Sequence, residues 1–274
     1  MAATQRARSA ALPIQHENAM SSPAKRPTRA LFWDIDGTLL VTGRAGMIAW
    51  ERAFAAESGG VPFPSVRPDG LTDHQIAAWL LGLTALDAVP DADVQARVSR
   101  LVARYEQEIV PALPLREGRV LDNVLPILDW VRSRRADLLS WLVTGNTRHG
   151  GMAKLRYYGL SALFGTIENR DAGSNDDAGG ALAGSFSSRV EPRAHIVRRA
   201  LEMARVQRPG LEASEVLVIG DTPHDIDGAH AIGVPVLAVA TNTHSLEELA
   251  AHRPWKALSE LPNPVAFEAL LAER

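Results

Sequence analysis

The chain has 274 residues, of which 46% are hydrophobic and 22% charged, and its formal net charge is -3 at pH 7. This length suits one large or two modest domains, and the small negative charge gives no indication of a nucleic-acid partner. Cysteine is absent, which excludes disulfides, thiol nucleophiles and cysteine-bound zinc, and no apolar run reaches the ~18 residues of a membrane-spanning helix.

Residues 1–28 precede the first apolar run and show no sustained hydrophobic period. They mix Ala, Ser, Gln, Pro and basic residues, a composition that is typical of disordered chain. We therefore predict a disordered N-terminal extension. The alternative is that Met20 is the true start.

The most informative segment is residues 31–40, an apolar run that breaks into two acids, a glycine and a threonine. The run predicts a buried strand. Because side chains alternate along a strand, Asp34 and Asp36 lean the same way at its end, and Gly37 allows a sharp turn. Two carboxylates this close repel each other unless a cation, a proton or chemistry separates their roles. The pair suggests a metal-assisted nucleophile and its acid/base partner.

About a hundred residues follow before the next comparable run, too many for a single crossover between strands. Apolar residues recur there at helical spacing, which predicts helices over 45–58, 73–83 and 91–110. Thr72 and Asp91 are the candidate helix starts. We predict that residues 44–116 form an inserted helical cap, with hinges at 43–46 and 114–118.

Two later apolar runs end as the first one does. They are residues 138–143, followed by Thr144, Gly145 and Asn146, and residues 215–220, followed by Asp221 and Asp225. Parallel strands bring such endings to one edge of a sheet, where open α/β folds place their sites. Each ending alone could be a turn or a helix N-cap. The three together predict a shared functional site.

The remaining elements complete the α/β alternation. Helices are predicted at 120–135, 147–159, 191–206 and 264–273, and a further strand at 235–240. This order predicts an α/β fold with a parallel sheet sandwiched by helices. The stretch 171–188, rich in Gly, Asp, Ser and Ala, is predicted to be a mobile surface loop.

The endings of these runs resemble the ordered signatures of the haloacid dehalogenase-like hydrolases, whose largest branch consists of phosphatases. The first signature is similar to residues 34–39 (Asp-Ile-Asp-Gly-Thr-Leu), the second to 138–146 and the fourth to 215–225. The resemblance covers roughly residues 30–260. It implies a Rossmann-like core, residues 29–43 and 117–274, into which the helical cap is inserted.

The third signature of this family is one basic residue that opens a helix between the second and fourth signatures. Arg193 fits this description, because it follows Pro192, a residue suited to a first helical turn. Arg189 is the alternative. Either residue could instead be a solvated surface arginine.

The resemblance implies a magnesium-dependent phosphatase that works through an aspartyl-phosphate. Asp34 would attack phosphorus, and Asp36 would protonate the leaving oxygen and later activate water. Thr144 and Arg193 would hold the phosphoryl oxygens. An all-oxygen ligand set suits a hard cation such as Mg²⁺. The implied ligands are Asp34, the backbone carbonyl of Asp36, Asp221 and, directly or through water, Asp225.

The same residues also indicate which other reactions of the superfamily are compatible with this sequence. A dehalogenase needs no leaving-group proton, so Asp36 argues against it. Phosphonate cleavage needs a cap lysine for a Schiff base, and residues 44–116 contain no lysine. A sugar-phosphate mutase and a catalytically silent binding module stay open as alternatives.

The expected substrate is a small phosphorylated metabolite, and phosphoglycolate is the first compound to test. This expectation rests on residues 67–73, which resemble a cap stretch of phosphoglycolate phosphatase-like members. The candidate substrate contacts are Thr72, Asp73, Thr144, Gly145, Asn146 and Arg193. A turn followed by an N-cap would also account for Thr72 and Asp73, and Asn146 could equally cap a helix.

Four further polar residues are not expected to take part in catalysis. Arg67, His74 and Lys154 are expected to be exposed rather than to contact substrate, and His224 is expected to pack or to face solvent rather than bind metal. The enzyme is expected to be cytoplasmic, without nucleic-acid or membrane partners. The sequence does not decide between a monomer and a homodimer.

Overall fold

Short apolar strands and amphipathic helices alternate along the described chain, except near its start, where two strands are followed by three consecutive helices. The computed structural model describes residues 27–65, 68–86, 88, 90–164 and 182–274. The strands within these ranges are β1 (Ala30–Trp33), β2 (Leu40–Val41), β3 (Arg119–Val120), β4 (Leu139–Val143), β5 (Gly184–Ser185), β6 (Val216–Gly220), β7 (Val236–Val239) and β8 (Lys256–Leu258). The helices are α1 (Ala45–Glu57), α2 (Asp73–Leu80), α3 (Ala92–Ala112), α4 (Val124–Arg134), α5 (Arg148–Tyr157), α6 (Arg193–Gln207), α7 (Pro223–His230), α8 (Leu246–Ala251) and α9 (Pro264–Ala272).

Six of the strands form one parallel sheet in the order β5-β4-β1-β6-β7-β8. The three apolar runs predicted from the sequence are the adjacent strands β4, β1 and β6, and Trp33 lies beside both Leu142 and Ile219. Their carboxyl ends therefore meet at the same edge. The predicted α/β class, a parallel sheet between helices, is confirmed.

The two faces of β1 pack into two different hydrophobic clusters, as alternation along a strand requires. Leu31 and Trp33 lie in a cluster that also holds residues of α4, α5 and α9. Ala30 and Phe32 lie in the opposite cluster, with residues of α6, α7 and α8. The sheet is thus covered on both sides, which is why its strands read as continuous apolar runs rather than alternating ones.

Helices α1–α3 form a third hydrophobic cluster outside the sheet. Its centre is a stacked aromatic pair, Trp50 and Tyr105, with ring centroids 4.1 Å apart and planes 7° from parallel. The short antiparallel pair of β2 and β3 joins the entry and the exit of this helical segment. Gly43, at φ +58°, packs against the backbone of Glu117 there, where a Cβ would overlap the carbonyl oxygen. The division into a core and a separate cap domain stays a proposal.

Part of the loop predicted at 171–188 is a strand. Gly184–Ser185 forms β5 on the edge of the sheet, and both residues are buried. Two residues are too few to produce a hydrophobic pattern, so this strand could not be predicted from the sequence. Strand β8 and helix α8 were likewise not predicted.

The predicted N-terminal extension lies almost wholly outside the described residues, as do residues 171–181 of the predicted loop. At the extension's end, Thr28 is buried, and its hydroxyl accepts a hydrogen bond from Arg274 at 3.0 Å. Thr28 therefore belongs to the folded part of the chain. Among the helices described, none is long and apolar enough to cross a membrane.

Candidate active site

Three buried carboxylates meet at the carboxyl edge of the sheet. Asp34 follows β1, Asp221 follows β6, and Asp225 lies in the first turn of α7. One oxygen from each lies within 4.8 Å of the others, and the residues are only 6%, 1% and 2% exposed, respectively. Gly37 makes this approach possible, because a Cβ at that position would overlap the Asp221 carboxylate.

Arg193 is the cation that faces this cluster. It opens helix α6, and its buried Nη2 donates to Oδ1 of Asp34 at 2.8 Å and also to Oδ1 of Asp225. The second oxygen of Asp225 accepts hydrogen bonds from the backbone and hydroxyl of Thr222. The alternative arginine, Arg189, is half exposed and instead pairs with Glu191 at 3.4 Å.

Burial dominates the electrostatics of these acids. It raises the pKa of Asp34 to about 7, although the Arg193 guanidinium opposes the shift, while Asp225 and Asp36 add to it. Burial, reinforced by Asp225 and Asp34, raises the pKa of Asp221 well above its ordinary value. Burial would lower the pKa of Arg193, but the two acids that it contacts raise it, so that it remains charged.

The cluster fits a divalent cation by two observations. Both carboxylate oxygens of Asp221 are buried without a hydrogen bond of normal geometry among the described residues, and the nearby Asn242 side chain only partly offsets the upward shift of the Asp221 pKa. Such burial is costly unless a cation compensates it. All the donors are oxygens, which hard cations such as Mg²⁺ and Ca²⁺ prefer. The positive charge of such an ion would reverse the upward pKa shifts.

Asp36 lies in a second polar group, beside the acid cluster rather than within it. Nζ of Lys154 donates to Oδ2 of Asp36 at 2.6 Å and to Oδ1 of Asn146 at 2.6 Å. The amide nitrogen of Asn146 donates to the same oxygen of Asp36 at 2.9 Å and to the hydroxyl of Thr144 at 2.8 Å. Asn146 does not cap a helix, because the N-cap of α5 is Thr147.

The expectation that Lys154 is exposed was wrong, since the residue is only 5% exposed. It lies on α5, and its ammonium group reaches Asn146, which precedes the N-cap of that helix. Charged residues on a helix usually face water, and the sequence alone does not show which face is covered. The rarity of lysine was the available signal: the chain has 29 Lys and Arg, and only Lys25, Lys154 and Lys256 are lysines.

Asp73 joins the helical segment to the loop after β4. Its backbone nitrogen donates to the carbonyl of Gly145 at 2.8 Å, and its Oδ2 accepts from the backbone nitrogen of Thr147 at 2.7 Å. Thr72 is the N-cap of α2, and its hydroxyl accepts from the backbone of Gln75. The predicted N-cap function of Thr72 is therefore confirmed.

His74 was expected to be exposed, and this expectation was wrong. The residue is buried, and its Nδ1 lies 2.8 Å from the hydroxyl of Ser187. Burial lowers the pKa of His74 to about 4, so the ring is neutral at pH 7. The contact joins residues that are 113 positions apart, which local sequence patterns do not reveal.

Asp34 and Asp221 line a cavity of about 830 Å³. The sheet edge supplies one wall, and the helical segment supplies the other, including Met47, Trp50 and Ile76. His224 lies at the rim with its ring against Gly70. Arg67, another residue considered from the sequence, lies outside the described residues.

The structure brings most of the predicted site residues to this one cavity. Those that line it are Asp34, Asp36, Asp73, Thr144, Gly145, Asn146, Arg193 and Asp221. Asp225 lies behind Arg193, and Thr72 is buried under the start of α2. Their catalytic and binding roles stay predictions.

The fold and the site together define an α/β enzyme whose acids lie where parallel strands end. The chain belongs to the haloacid dehalogenase-like hydrolases, because the model of that hydrolase family matches residues 28–233. The resemblance noted from the motifs, and the expectation of a hydrolase, are confirmed.

Individual relatives are distant. "Probable phosphatase IndB" of Dickeya dadantii (strain 3937) is 24% identical over 224 residues, which are 82% of this chain and 86% of that protein. "Tyrosine-protein kinase PtkA" of Mycobacterium tuberculosis (strain ATCC 25618 / H37Rv) is 23% identical over 219 residues, 80% of this chain but only 64% of that protein. The solved structure of CbbY from Rhodobacter sphaeroides in complex with phosphate has a TM-score of 0.60 at 16% identity, covering 84% of this chain and 93% of that one. This last likeness shows the fold.

Proposed function

We propose that the chain is a Mg²⁺-dependent phosphatase that hydrolyses a small phosphorylated metabolite through a phosphorylated Asp34. The observation that carries this proposal is the buried cluster of Asp34, Asp221 and Asp225 held against Arg193. Acids in such a place repel a phosphate dianion unless a cation accompanies them. The name of the relative IndB, which describes a phosphatase, supports the same chemistry.

The Mg²⁺ site would consist of Asp34, the backbone carbonyl of Asp36 and Asp221. When bound, the ion would neutralise the acids and stabilise the charge that develops on the phosphoryl group. Arg193 and Thr222 already use both oxygens of Asp225, so its contact with the ion is proposed to run through water. The direct task of Asp225 would then be to hold Arg193 in place.

The side chains divide the reaction into two proton-coupled steps. Asp34 attacks phosphorus and forms the aspartyl-phosphate, while Asp36 donates a proton to the leaving oxygen. Asp36 then takes a proton from the water that hydrolyses this intermediate. Arg193 and Thr144 bind the equatorial oxygens, over which phosphoryl transfer spreads negative charge.

The cavity sets the class of substrate. A volume of about 830 Å³ lies within the usual range of small-molecule sites. Apolar side chains of the helical segment would contact the part of the substrate beyond the phosphate. Phosphoglycolate is the first compound to test, because residues 67–73 resemble the corresponding stretch of phosphoglycolate phosphatase-like proteins.

The test is a panel of phosphorylated metabolites, assayed for inorganic phosphate with Mg²⁺ and after chelation. We expect Asp34→Asn to reduce turnover to background and chelation to silence the wild type. The matched control is Asp129→Asn, which changes an exposed aspartate on α4 that pairs with Arg132 and should retain full activity. Substantial turnover by Asp34→Asn would refute the assignment.

The same assay separates the phosphatase from both alternatives, because neither of them releases inorganic phosphate, and analysis of the sugar phosphates in the panel for a rearranged product separates the alternatives from each other. A sugar-phosphate mutase would move phosphate within one sugar without releasing it, because it differs mainly in the acceptor that reaches the aspartyl-phosphate. A silent binding module would turn over no compound of the panel.

A further inference from the structure

We propose that Lys154 is a positioning residue, whose ammonium group fixes the Asp36 carboxyl on the leaving-group side of the site, apart from the metal-binding acids. This inference rests on the proposed phosphatase function, in which Asp36 transfers the proton to the leaving oxygen. Lys154 is not one of the residues to which the family resemblance gives a role.

The first support is a closed triangle of hydrogen bonds. Lys154 donates to Asp36 and to Asn146, at 2.6 Å in both cases, and Asn146 donates to the same carboxylate oxygen at 2.9 Å. Lys154 can only donate, so its bond to Oδ1 fixes the orientation of the Asn146 amide. The amide nitrogen is thereby directed at Asp36. The ammonium group therefore donates one hydrogen bond to Oδ2 of Asp36 and orients the Asn146 amide, which donates a second hydrogen bond to the same oxygen.

The second support is the difference in exposure between the partners. The Asp36 side chain is 38% exposed, whereas that of Lys154 is 6% exposed. The Asp36 carboxyl group is therefore the more accessible of the two to a substrate, although Lys154 also contributes to the lining of the cavity. Lys154 acts on the reaction through Asp36, which is why we class it as positioning rather than catalytic.

The third support is the separation of the two cations. Arg193 contacts Asp34 and Asp225, whereas Lys154 contacts Asp36. The Asp36 carboxylate is not part of the described group of acids that could hold a metal ion. Each of the two acids of the first signature therefore has its own buried cation. Held in this way, the Asp36 carboxyl group would not turn toward an ion bound by the other acids.

Stability alone does not account for this buried lysine. The cost of removing an ion pair from water can match or exceed its Coulombic gain, so such pairs are often replaced without loss by apolar groups. If the pair were purely structural, its loss would also lower the turnover of all substrates by the same factor. A positioning function predicts a loss that depends on how much the leaving group needs the proton.

The experiment compares leaving groups by kcat/KM, which reports the first chemical step. For an alkyl phosphomonoester, we expect Lys154→Met to lower kcat/KM on the order of 100-fold, the lower end of the contribution of general acid catalysis. For 2,4-dinitrophenyl phosphate, whose leaving group departs without a proton, we expect a change of a few-fold at most. The loss should lie in kcat rather than in KM. Lys256→Met, a change to the exposed partner of Glu273, is the control and should behave as the wild type with both substrates.

Chemical rescue tests the ammonium group itself. Because the chain has no cysteine, Lys154→Cys introduces its single thiol, and alkylation with 2-bromoethylamine restores an ammonium group at nearly the original length. The alkylated variant should recover most of the alkyl phosphate activity, and alkylation with iodoacetamide should not restore it. Lys154→Gln, a neutral side chain that still donates, is a further variant if Lys154→Met does not fold.

The outcomes separate this inference from the proposed function. An active wild type whose folded Lys154 variants lose the same factor with both substrates, or lose nothing, overturns the inference and leaves the function standing. Failure of the aminoethylated variant to recover also overturns it. A wild type without activity on any phosphomonoester overturns both.

Discussion

Asp34 and Asp73 each have a cation nearby, yet the pKa of both is raised to about 7. In each case burial is the largest cause, and the attraction of Arg193 or Lys154 only reduces the shift. At the scale of single residues, the charge state of an acid here is set mainly by its exclusion from water. Asp73 shows this effect away from the proposed metal ligands.

Asp73→Asn provides a test through the pH dependence of stability. The pKa of Asp73 is raised in the folded state from an ordinary value of 3.8 to about 7, so the folded chain binds this proton more tightly than the unfolded chain does. Its contribution to stability is present in full below pH 3.8 and is lost as the pH rises through about 7. Asparagine does not titrate.

We therefore expect the free energy of unfolding of the wild type, relative to Asp73→Asn, to fall as the pH rises from about 4 to about 7. The upper limit is about 1.4 kcal/mol for each unit of pKa difference. Denaturant unfolding of both proteins across this range measures the difference. A difference that is constant with pH would contradict the raised pKa.

At the scale of elements, helix α2 connects the helical segment to the site. Two adjacent residues at the start of this helix have different tasks. Thr72 is its N-cap, and Asp73 forms hydrogen bonds with Gly145 and Thr147. The capping box, completed by Gln75, fixes where the helix begins. It thereby fixes where Asp73 meets the loop after β4.

Thr72→Ala should lower stability by about 1 kcal/mol, the usual cost of removing an N-cap, and should also reduce activity. The reason is that a frayed first turn would displace Asp73 from the loop that carries Thr144. Thermal unfolding and kcat/KM measure the two effects. Asn263→Ala, which removes the exposed N-cap of α9, is the control and should cost similar stability at unchanged activity. Full activity in a destabilised Thr72→Ala protein would disprove the link.

At the scale of the whole molecule, the acid cluster opposes folding in the absence of a cation. Asp34, Asp221 and Asp225 come from two strand ends and a helix start, and folding brings them within 4.8 Å of one another. The folded chain thus holds mutually repelling carboxylates at the edge of its sheet. A bound divalent ion would neutralise their charges and so remove the repulsion. Binding of such an ion would therefore raise the stability of the folded chain.

We expect Mg²⁺ to raise the melting temperature of the wild type and chelation to lower it again. Asp221→Asn should melt higher than the metal-free wild type and should lose most of the Mg²⁺-induced rise, because it removes a buried charge and a metal ligand together. Differential scanning calorimetry with and without the ion measures both. Asp129→Asn should respond as the wild type does. Equal responses in Asp221→Asn and the wild type would remove Asp221 from the metal site.

Local sequence was sufficient for much of the fold. Strand β1 and the adjacent strands β4 and β6 were predicted, because each is an apolar run with a clear end. Thr72 and Asp91 were correctly predicted as helix starts, since an N-cap depends on a few neighbouring residues. Strand β5 was missed because two residues carry no periodicity.

The sequence by itself determined the class of fold, the family and the acids that end the strands, since these follow from periodicity and from motifs contiguous in the chain. Only the tertiary structure decided the partners of those acids, Arg193 rather than Arg189 against Asp34 and Lys154 against Asp36. It likewise decided that His74 is buried against Ser187. The reason is that burial and hydrogen bonding depend on residues more than a hundred positions apart. Their distance in space is set by packing, which no local pattern contains.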